Sequence, residues 1–437
     1  MREAIERRPR LPEQPIDRLI GSLERFMHVE AAGGIVLLAC TAIALGLANS
    51  PLSDAYLRVW ETELGFHVGG LRVSHSLHHW INDGLMALFF FVVGLEVKRE
   101  LVLGELREPQ RAALPLVAAL GGMVVPAGVY LAFQFGTPAQ RGWGIPMATD
   151  IAFVVGCMAV LGPRIPHGLR IMLLTLAIAD DIGAILVIAL GYSTGIHLVP
   201  LLLGAGDLVL VVILARLGIR SFGIYTLVGL VVWFAFQESG VHATIAGVLL
   251  GLLTPARPHL SEDAFAPFLE HATDPPASDR PADVRTLRQA ARETVSPLEY
   301  LESTLHPWVS FVIMPVFALA NAGVPLHLAS FLDPVALAVA AGLVVGKPVG
   351  ILLFSWLAMR AGVARLPDAV GWRAVAGGGC LAGIGFTMAL FIAGLALDGA
   401  ALEAAKVGVL AGSAVAAAIG LLVLGRVLAA PVAHTRR

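Results

Sequence analysis

Charge is what this sequence has least of. Asp, Glu, Lys and Arg make up 14% of its 437 residues, where an ordinary soluble domain carries roughly 25%. Its water-facing surface is therefore small. With 57% hydrophobic residues and a mean hydropathy of +0.79, that scarcity excludes the soluble, disordered and disulfide-scaffold classes and points to apolar helices packed in lipid. Cysteine is scarce too. Cys40, Cys157 and Cys380 each sit in an apolar run without paired spacing, which excludes a disulfide framework and a cysteine metal site. A net charge of −2 leaves no global basic face, so no nucleic-acid partner is expected. The segment 1–26, MREAIERRPRLPEQPIDRLIGSLERF, lacks the short apolar core and cleavage site of a signal peptide and reads as a polar cytoplasmic lead-in.

What is present is a series of apolar runs. A spanning helix needs about 20 mostly apolar residues, and windows of that kind predict twelve spans: 31–49, 80–97, 112–135, 145–162, 169–193, 198–215, 221–237, 240–254, 305–324, 334–357, 372–397 and 404–425. An even number puts both termini on one side. With the N-terminus cytoplasmic, 25 of the 30 Lys and Arg residues fall in inside segments, three (Arg58, Arg72, Arg141) fall outside, and Lys347 and Lys406 lie within spans. Basic residues concentrate on the cytoplasmic side of membrane proteins, and one missed span would swap every later loop, so this asymmetry supports both count and orientation. The expected organisation is a cytoplasmic segment 1–26 and a transmembrane domain 27–430. Its outside loop 50–79 carries a Gly69-Gly70 turn between apolar and β-branched residues, the pattern of a two-residue hairpin. Its inside segment 255–304, rich in Pro, Asp, Glu and Arg, reads as a mobile connector between two helical halves.

A carboxylate in the middle of a spanning helix costs about 2.5–3.5 kcal/mol on insertion scales, so each one requires a reason. Asp83 lies near an outside end, and Glu96 lies at the inside end of the same span with Arg99 as a candidate partner. Asp150 follows Pro146-Met147-Ala148-Thr149, a pattern that predicts a helix interrupted within the membrane. Such a break frees backbone groups that only a protein-lined or wet cavity can satisfy. Gly377-Gly378-Gly379, with Gly383 and Gly385, marks a second break in the eleventh span. Two interrupted spans, one in each half, point to a transporter site at the midplane.

The strongest feature is Asp180-Asp181, adjacent carboxylates in a long apolar run. Neighbouring helical residues point about 100° apart, so one can face a cavity and the other a neighbouring helix. Two close carboxylates in a poorly hydrated site do not both ionise readily, and a proton is retained between them. A small hard cation on the same oxygens expels that proton. Cation and proton then compete for one site, which is the minimal chemistry of antiport. Sodium and lithium suit carboxylate, hydroxyl and carbonyl oxygens, which Asp181, Asp150, Thr149 and unwound backbone offer. Lys347, mid-span in Gly346-Lys347-Pro348, needs a buried partner, and Asp180 is the carboxylate left over once Asp181 faces the ion. A rival signal is Gly204-Ala205-Gly206-Asp207, the Gly-x-Gly-Asp pattern of intramembrane aspartyl proteases, but the accompanying Tyr-Asp and Pro-Ala-Leu sequences are absent. A sodium-coupled symporter of an organic anion shares broken helices, yet the tandem carboxylates and lysine supply proton sites and no clear anion pocket.

Six segments together carry a resemblance: Ala148-Thr149-Asp150-Ile151-Ala152-Phe153, Ala179-Asp180-Asp181-Ile182-Gly183-Ala184, Ser239-Gly240-Val241-His242-Ala243-Thr244, Phe317-Ala318-Leu319-Ala320-Asn321-Ala322-Gly323, Gly346-Lys347-Pro348 and Gly383-Ile384-Gly385-Phe386-Thr387-Met388. They resemble the bacterial Na+/H+ antiporters of the NhaA type, collinearly from about residue 27 to 425. That family is among the examples behind the broken-helix rule, so its architecture is implied by the resemblance and not read from spacing. The resemblance implies an all-α polytopic membrane protein of 12 transmembrane helices, with inverted repeats (spans 3–5 and 10–12) and two broken helices crossing at the midplane. It implies electrogenic, pH-regulated exchange of Na+ or Li+ for H+ by alternating access, without a cofactor and without enzymatic turnover, in the bacterial inner membrane. Asp181 is then the main cation and proton carboxylate and Asp180 alternates between protonation and pairing with Lys347, while Asp150 and Thr149 compensate exposed helix ends. Glu96, His242, Glu302 and His306 match residues that influence the pH response, and the 66–73 hairpin matches a homodimer contact. The lead-in and the 255–304 connector are longer than is usual in the family, and Ser303 stands where relatives can carry histidine.

Overall fold

The computed structural model describes residues 30–68, 71–193, 195–219, 221–258, 260, 264–265, 285–286, 290–291, 293–367 and 370–429. The 1–26 lead-in, the Gly69-Gly70 turn and most of the 255–304 connector lie outside the described residues.

The protein is an all-α polytopic membrane protein, and each of the twelve apolar windows is helical. In chain order the elements are α1 (Glu30–Ala48), α2 (Ser53–Glu61), a hairpin of β1 (Glu63–Val68) and β2 (Leu71–Ser76), α3 (Leu77–Val102) and α4 (Pro109–Gln134). A ten-residue 3₁₀ segment, Pro138–Met147, then leads to α5 (Ile151–Leu161), α6 (His167–Gly191), α7 (Leu198–Arg216), α8 (Phe222–Ser239) and α9 (Thr244–Leu253). After the connector come α10 (Pro297–Asn321), α11 (Pro334–Arg360), α12 (Trp372–Ala382), α13 (Phe386–Ala396) and α14 (Gly399–Ala429).

Seven of these helices are individually long and apolar enough to cross a bilayer: α3, α4, α6, α7, α10, α11 and α14. Two more spans are broken. The 3₁₀ segment and α5 meet at 40°, and α12 and α13 meet at 47°. In α1 and α2 a bend of 114° turns the chain aside after a single apolar helix. The order straight, broken, straight occurs twice, in α4 to α6 and in α11 to α14.

Sequence boundaries shift where caps act. α10 begins at Pro297, eight residues before the apolar window, because Ser296 and Glu299 form a reciprocal capping box and Pro297 occupies the first helical position. This takes 297–304 out of the expected connector. α9 begins at Thr244, with Gly240 in a left-handed conformation closing α8.

The hairpin is present, antiparallel, in the register Glu63↔Ser76 through Val68↔Leu71. Its base is tied to the bundle by a hydrogen bond from the Trp80 indole to the Leu64 carbonyl (2.9 Å).

Glycine sets the closest helix contacts. A Cβ on Gly121 of α4 would lie 2.3 Å from the Gly350 carbonyl oxygen of α11, and one on Gly350 would lie 2.1 Å from the Gly121 oxygen. Only reciprocal glycines let these two backbones approach so far, the small-residue packing typical of membrane helices. The contact holds α11, and with it Lys347, against the repeat that contains Asp180.

Candidate functional site

Each broken helix fails for a local reason. Pro146 ends the 3₁₀ segment, and Ala148 and Asp150 adopt extended backbone before α5 starts. The second break falls at Gly383-Ile384-Gly385, not at Gly377-Gly378-Gly379, which lie inside α12. Those three are helix-contact glycines: Gly377 faces Leu424 and Gly378 faces Leu173. At the break a Cβ on Gly383 would meet the Leu343 carbonyl at 2.4 Å, and one on Gly385 would meet the Ala148 carbonyl at 3.1 Å. The two interruptions therefore press on one another, joined by a backbone bond from Asp150 N–H to the Ile384 carbonyl (2.7 Å).

The two breaks together expose two positive N-terminal ends and two negative C-terminal ends, each equivalent to about half a charge. Side chains meet these ends. Asp150 caps α5 through Phe153 N–H (3.3 Å), and its other oxygen accepts from the backbone N–H (3.0 Å) and hydroxyl of Thr387 in the first turn of α13. One carboxylate thus serves both positive ends. Lys347 donates to the Met147 carbonyl at the end of the 3₁₀ segment, and the Thr149 hydroxyl lies 2.9 Å from the Ala382 carbonyl at the end of α12.

Beside this crossing lies the acidic pair of α6. Lys347, fully buried, forms an ion pair with Asp180 Oδ2 at 2.8 Å. That oxygen also lies 2.6 Å from the Thr149 hydroxyl. The other oxygen, Oδ1, is buried with no hydrogen-bond partner. Asp181, 5% exposed, has no hydrogen bond or ion pair among the described residues. One oxygen of Asp180 and the Asp181 carboxylate thus present free acceptors beside the helix crossing, with Lys347 the one buried cation near them among the described residues. No group of three or more His, Cys, Asp or Glu side chains converges among the described residues.

The residues with an expected pH role do not form one group. At one end of α3, Arg99 bonds Glu302 of α10 and lies 3.7 Å from Glu100. Glu96, on the turn before, has no ion pair among the described residues and lies within electrostatic range of both Arg99 and Glu302. His306 follows Glu302 by one turn of α10. At the other end of α3, beside the hairpin, Asp83 pairs with His79 (3.0 Å) and lies within electrostatic range of His242. His242 itself contacts the Tyr192 carbonyl at 3.1 Å, at the end of α6. His242 thus belongs with Asp83, on the opposite side of the bundle from Glu96, Glu302 and His306. Asp207 lies midway along α7, a helix only 11% buried, with no ion pair or hydrogen bond among the described residues.

Sequence reasoning missed two contributors. Thr387 holds Asp150, and Asn321 bridges α10 to α3 through Asn82 Oδ1 (2.8 Å) and His78 Nε2 (3.2 Å). Their signal was positional. A hydroxyl residue in the first turn after a glycine break can donate to a carboxylate on another helix, and an Asn in an apolar span needs a partner on another helix.

A helical membrane protein with two interrupted spans meeting over buried carboxylates and a buried lysine is a transporter by class. The chain belongs to the Na+/H+ antiporter 1 family, whose pattern matches residues 24–424. It is 56% identical over 424 residues to the Na(+)/H(+) antiporter NhaA of Rhodopirellula baltica, covering 95% of this chain and 96% of that protein. It is 51% identical to the Na(+)/H(+) antiporter NhaA 2 of Acidiphilium cryptum, over 95% of this chain and 94% of that one. The NhaA of Rhizobium meliloti is 50% identical, over 95% and 97% respectively.

Proposed function

We propose that the protein exchanges Na+ or Li+ for H+ at Asp181, proton entry driving cation exit by alternating access. The observation that carries this reading is a buried carboxylate without a donor, beside a lysine–carboxylate pair, where two broken helices cross. Asp181 has no ion pair or hydrogen bond among the described residues, so a proton or a cation neutralises it, and the two exclude one another. Asp180 alternates between protonation and pairing with Lys347, releasing its proton to form the pair as the cation enters and regaining it as the cation leaves, which makes more than one proton per cation available and the exchange electrogenic. Asp150 and Thr149 hold the crossing in register and leave carbonyl and hydroxyl oxygens for the ion. The activity is transport without covalent turnover.

The charge distribution supports twelve spans, with α8 and α9 as the two shorter ones and both termini cytoplasmic, and membership of the family supports the bacterial inner membrane. On that orientation the Arg99–Glu302 pair, Glu96 and His306 face the cytoplasm and set the pH response, while Asp83 and His242 flank the outer side. The 63–76 hairpin joins two copies.

The test is a proteoliposome carrying an imposed inward-acid gradient and a pH-sensitive dye. Addition of NaCl or LiCl to the wild type collapses the gradient. Asp181→Asn gives no dequenching with either salt while keeping the wild-type elution volume and melting temperature. Sodium-driven dequenching at the wild-type rate in Asp181→Asn would place the exchange site elsewhere.

A further inference from the structure

Where α12 leaves the bilayer beside the last turns of α14, the two helices splay into an open groove of about 420 Å³, within the roughly 300–1,000 Å³ range of ligand-sized clefts. Its walls are Ala376, Ile419, Leu422, Val423 and Val427, and at its mouth stand Arg373 and Arg426. The apolar walls lie on the bilayer side: Leu422 is 60% exposed among the described residues. Neither arginine has an ion pair or hydrogen bond among the described residues. Below the groove the helices close tightly, Gly377 against Leu424 and Gly420 against Leu381, so the opening is a wedge between two otherwise packed helices. Trp372, 38% exposed, begins α12 one residue before Arg373, and a tryptophan at a helix start fixes that turn at headgroup level.

Two guanidinium groups over an apolar, lipid-facing slot have one complementary occupant in a bilayer. We infer that this groove binds an anionic phospholipid of the leaflet on the arginine-rich side, its phosphate between Arg373 and Arg426 and an acyl chain along Ala376, Leu422 and Val423. Guanidinium forks match phosphate oxygens in bidentate fashion, and basic pockets between spanning helices recognise such headgroups. A soluble phosphate would fill the mouth and leave the apolar walls uncovered. A zwitterionic lipid would fill the walls and bring its own cation to two arginines. The site lies on the first half of a broken span, so the lipid would wedge the helix that ends at the Gly383–Gly385 crossing. It is independent of the exchange reading.

The full chain is purified in detergent and given dioleoyl phosphatidylglycerol, dioleoyl phosphatidylcholine or glycerol 3-phosphate. Retained lipid is read by native mass spectrometry and stability by thermal unfolding. Phosphatidylglycerol is retained and raises the melting temperature, and the other two do neither. Arg373→Gln or Arg426→Gln weakens retention about fivefold, the equivalent of roughly 1 kcal/mol per basic residue near an anionic headgroup. Ala376→Trp, which fills the slot and keeps both arginines, abolishes retention. Arg365→Gln, an exposed arginine in the loop before α12, leaves retention unchanged. Equal retention of phosphatidylcholine, the same stabilisation by glycerol 3-phosphate, an equal loss in Arg365→Gln, or full retention in the Arg373→Gln/Arg426→Gln double variant would each overturn the assignment.

Discussion

Lys347 neutralises two different things at once: the Asp180 carboxylate at 2.8 Å and the carbonyl end of the 3₁₀ segment at Met147. The first was legible in the sequence, because a lysine in the middle of an apolar span needs a carboxylate and few are available. The second was not, since a backbone carbonyl carries no residue signature, and it becomes a partner only once the helix has broken. The same limit explains Thr387, whose role depends on Asp150 reaching it from 237 residues away. It also explains His242, whose end of the bundle is set by the packing of α8 and α9. Removing Lys347 strands Asp180 in a fully buried site, and breaking a buried pair from one side costs about 3–5 kcal/mol. Lys347→Met is therefore expected to lower the thermal unfolding midpoint sharply. The double variant Lys347→Met/Asp180→Asn should recover most of the loss, because the stranded charge is gone. A double variant no more stable than Lys347→Met alone would mean that the Met147 contact, and not the ion pair, is what Lys347 contributes.

At the scale of elements, each apolar window falls on helix, seven of them on helices long enough to cross a bilayer, and hydropathy misplaced ends where polar caps lie outside the apolar window. It also misassigned the glycines of the eleventh span. Gly377 to Gly379 and Gly383 to Gly385 look alike in sequence, and only packing separates those that admit a neighbouring helix from those that end their own. The same distinction yields a matched test in α4. Gly121 faces the Gly350 carbonyl at a distance no Cβ tolerates, whereas Gly128 has nothing within 4 Å. Gly121→Ala must push α11 away and carry Lys347 with it, so both the unfolding midpoint and sodium-driven exchange should fall. Gly128→Ala adds a methyl to an open, exposed position and removes glycine's helix penalty of about 0.8–1 kcal/mol, so its midpoint should equal or exceed the wild type. Equal behaviour of the two variants in unfolding and in exchange would show that the α4–α11 approach is slack.

For the whole molecule the charge asymmetry of 25 basic residues against three gives an orientation in which the β1–β2 hairpin projects on the side poorest in positive charge. A hairpin of two six-residue strands is marginal in water on its own, and both of its outer edges carry unpaired backbone groups that template further strand pairing. Its base is fastened to α3 by Trp80 and by the Leu77 N–H to Thr62 carbonyl bond (2.9 Å), so its direction is fixed relative to the bundle. Pairing with a second copy about a two-fold axis, as proposed above, would satisfy one edge of each hairpin without altering either helical core. Replacing residues 65–74 with a short Gly-Ser link should then convert the particle from two protomers to one in light scattering after size exclusion. The crossing of the broken helices, the Asp180–Lys347 pair and Asp181 all lie within a single chain. Exchange per protomer in proteoliposomes should therefore persist, with the loss confined to thermal stability and to protomer association. A shortened variant that still runs as a dimer would move the interface onto the lipid-facing helices, and one that is monomeric and inactive would mean that the second copy completes the transport site.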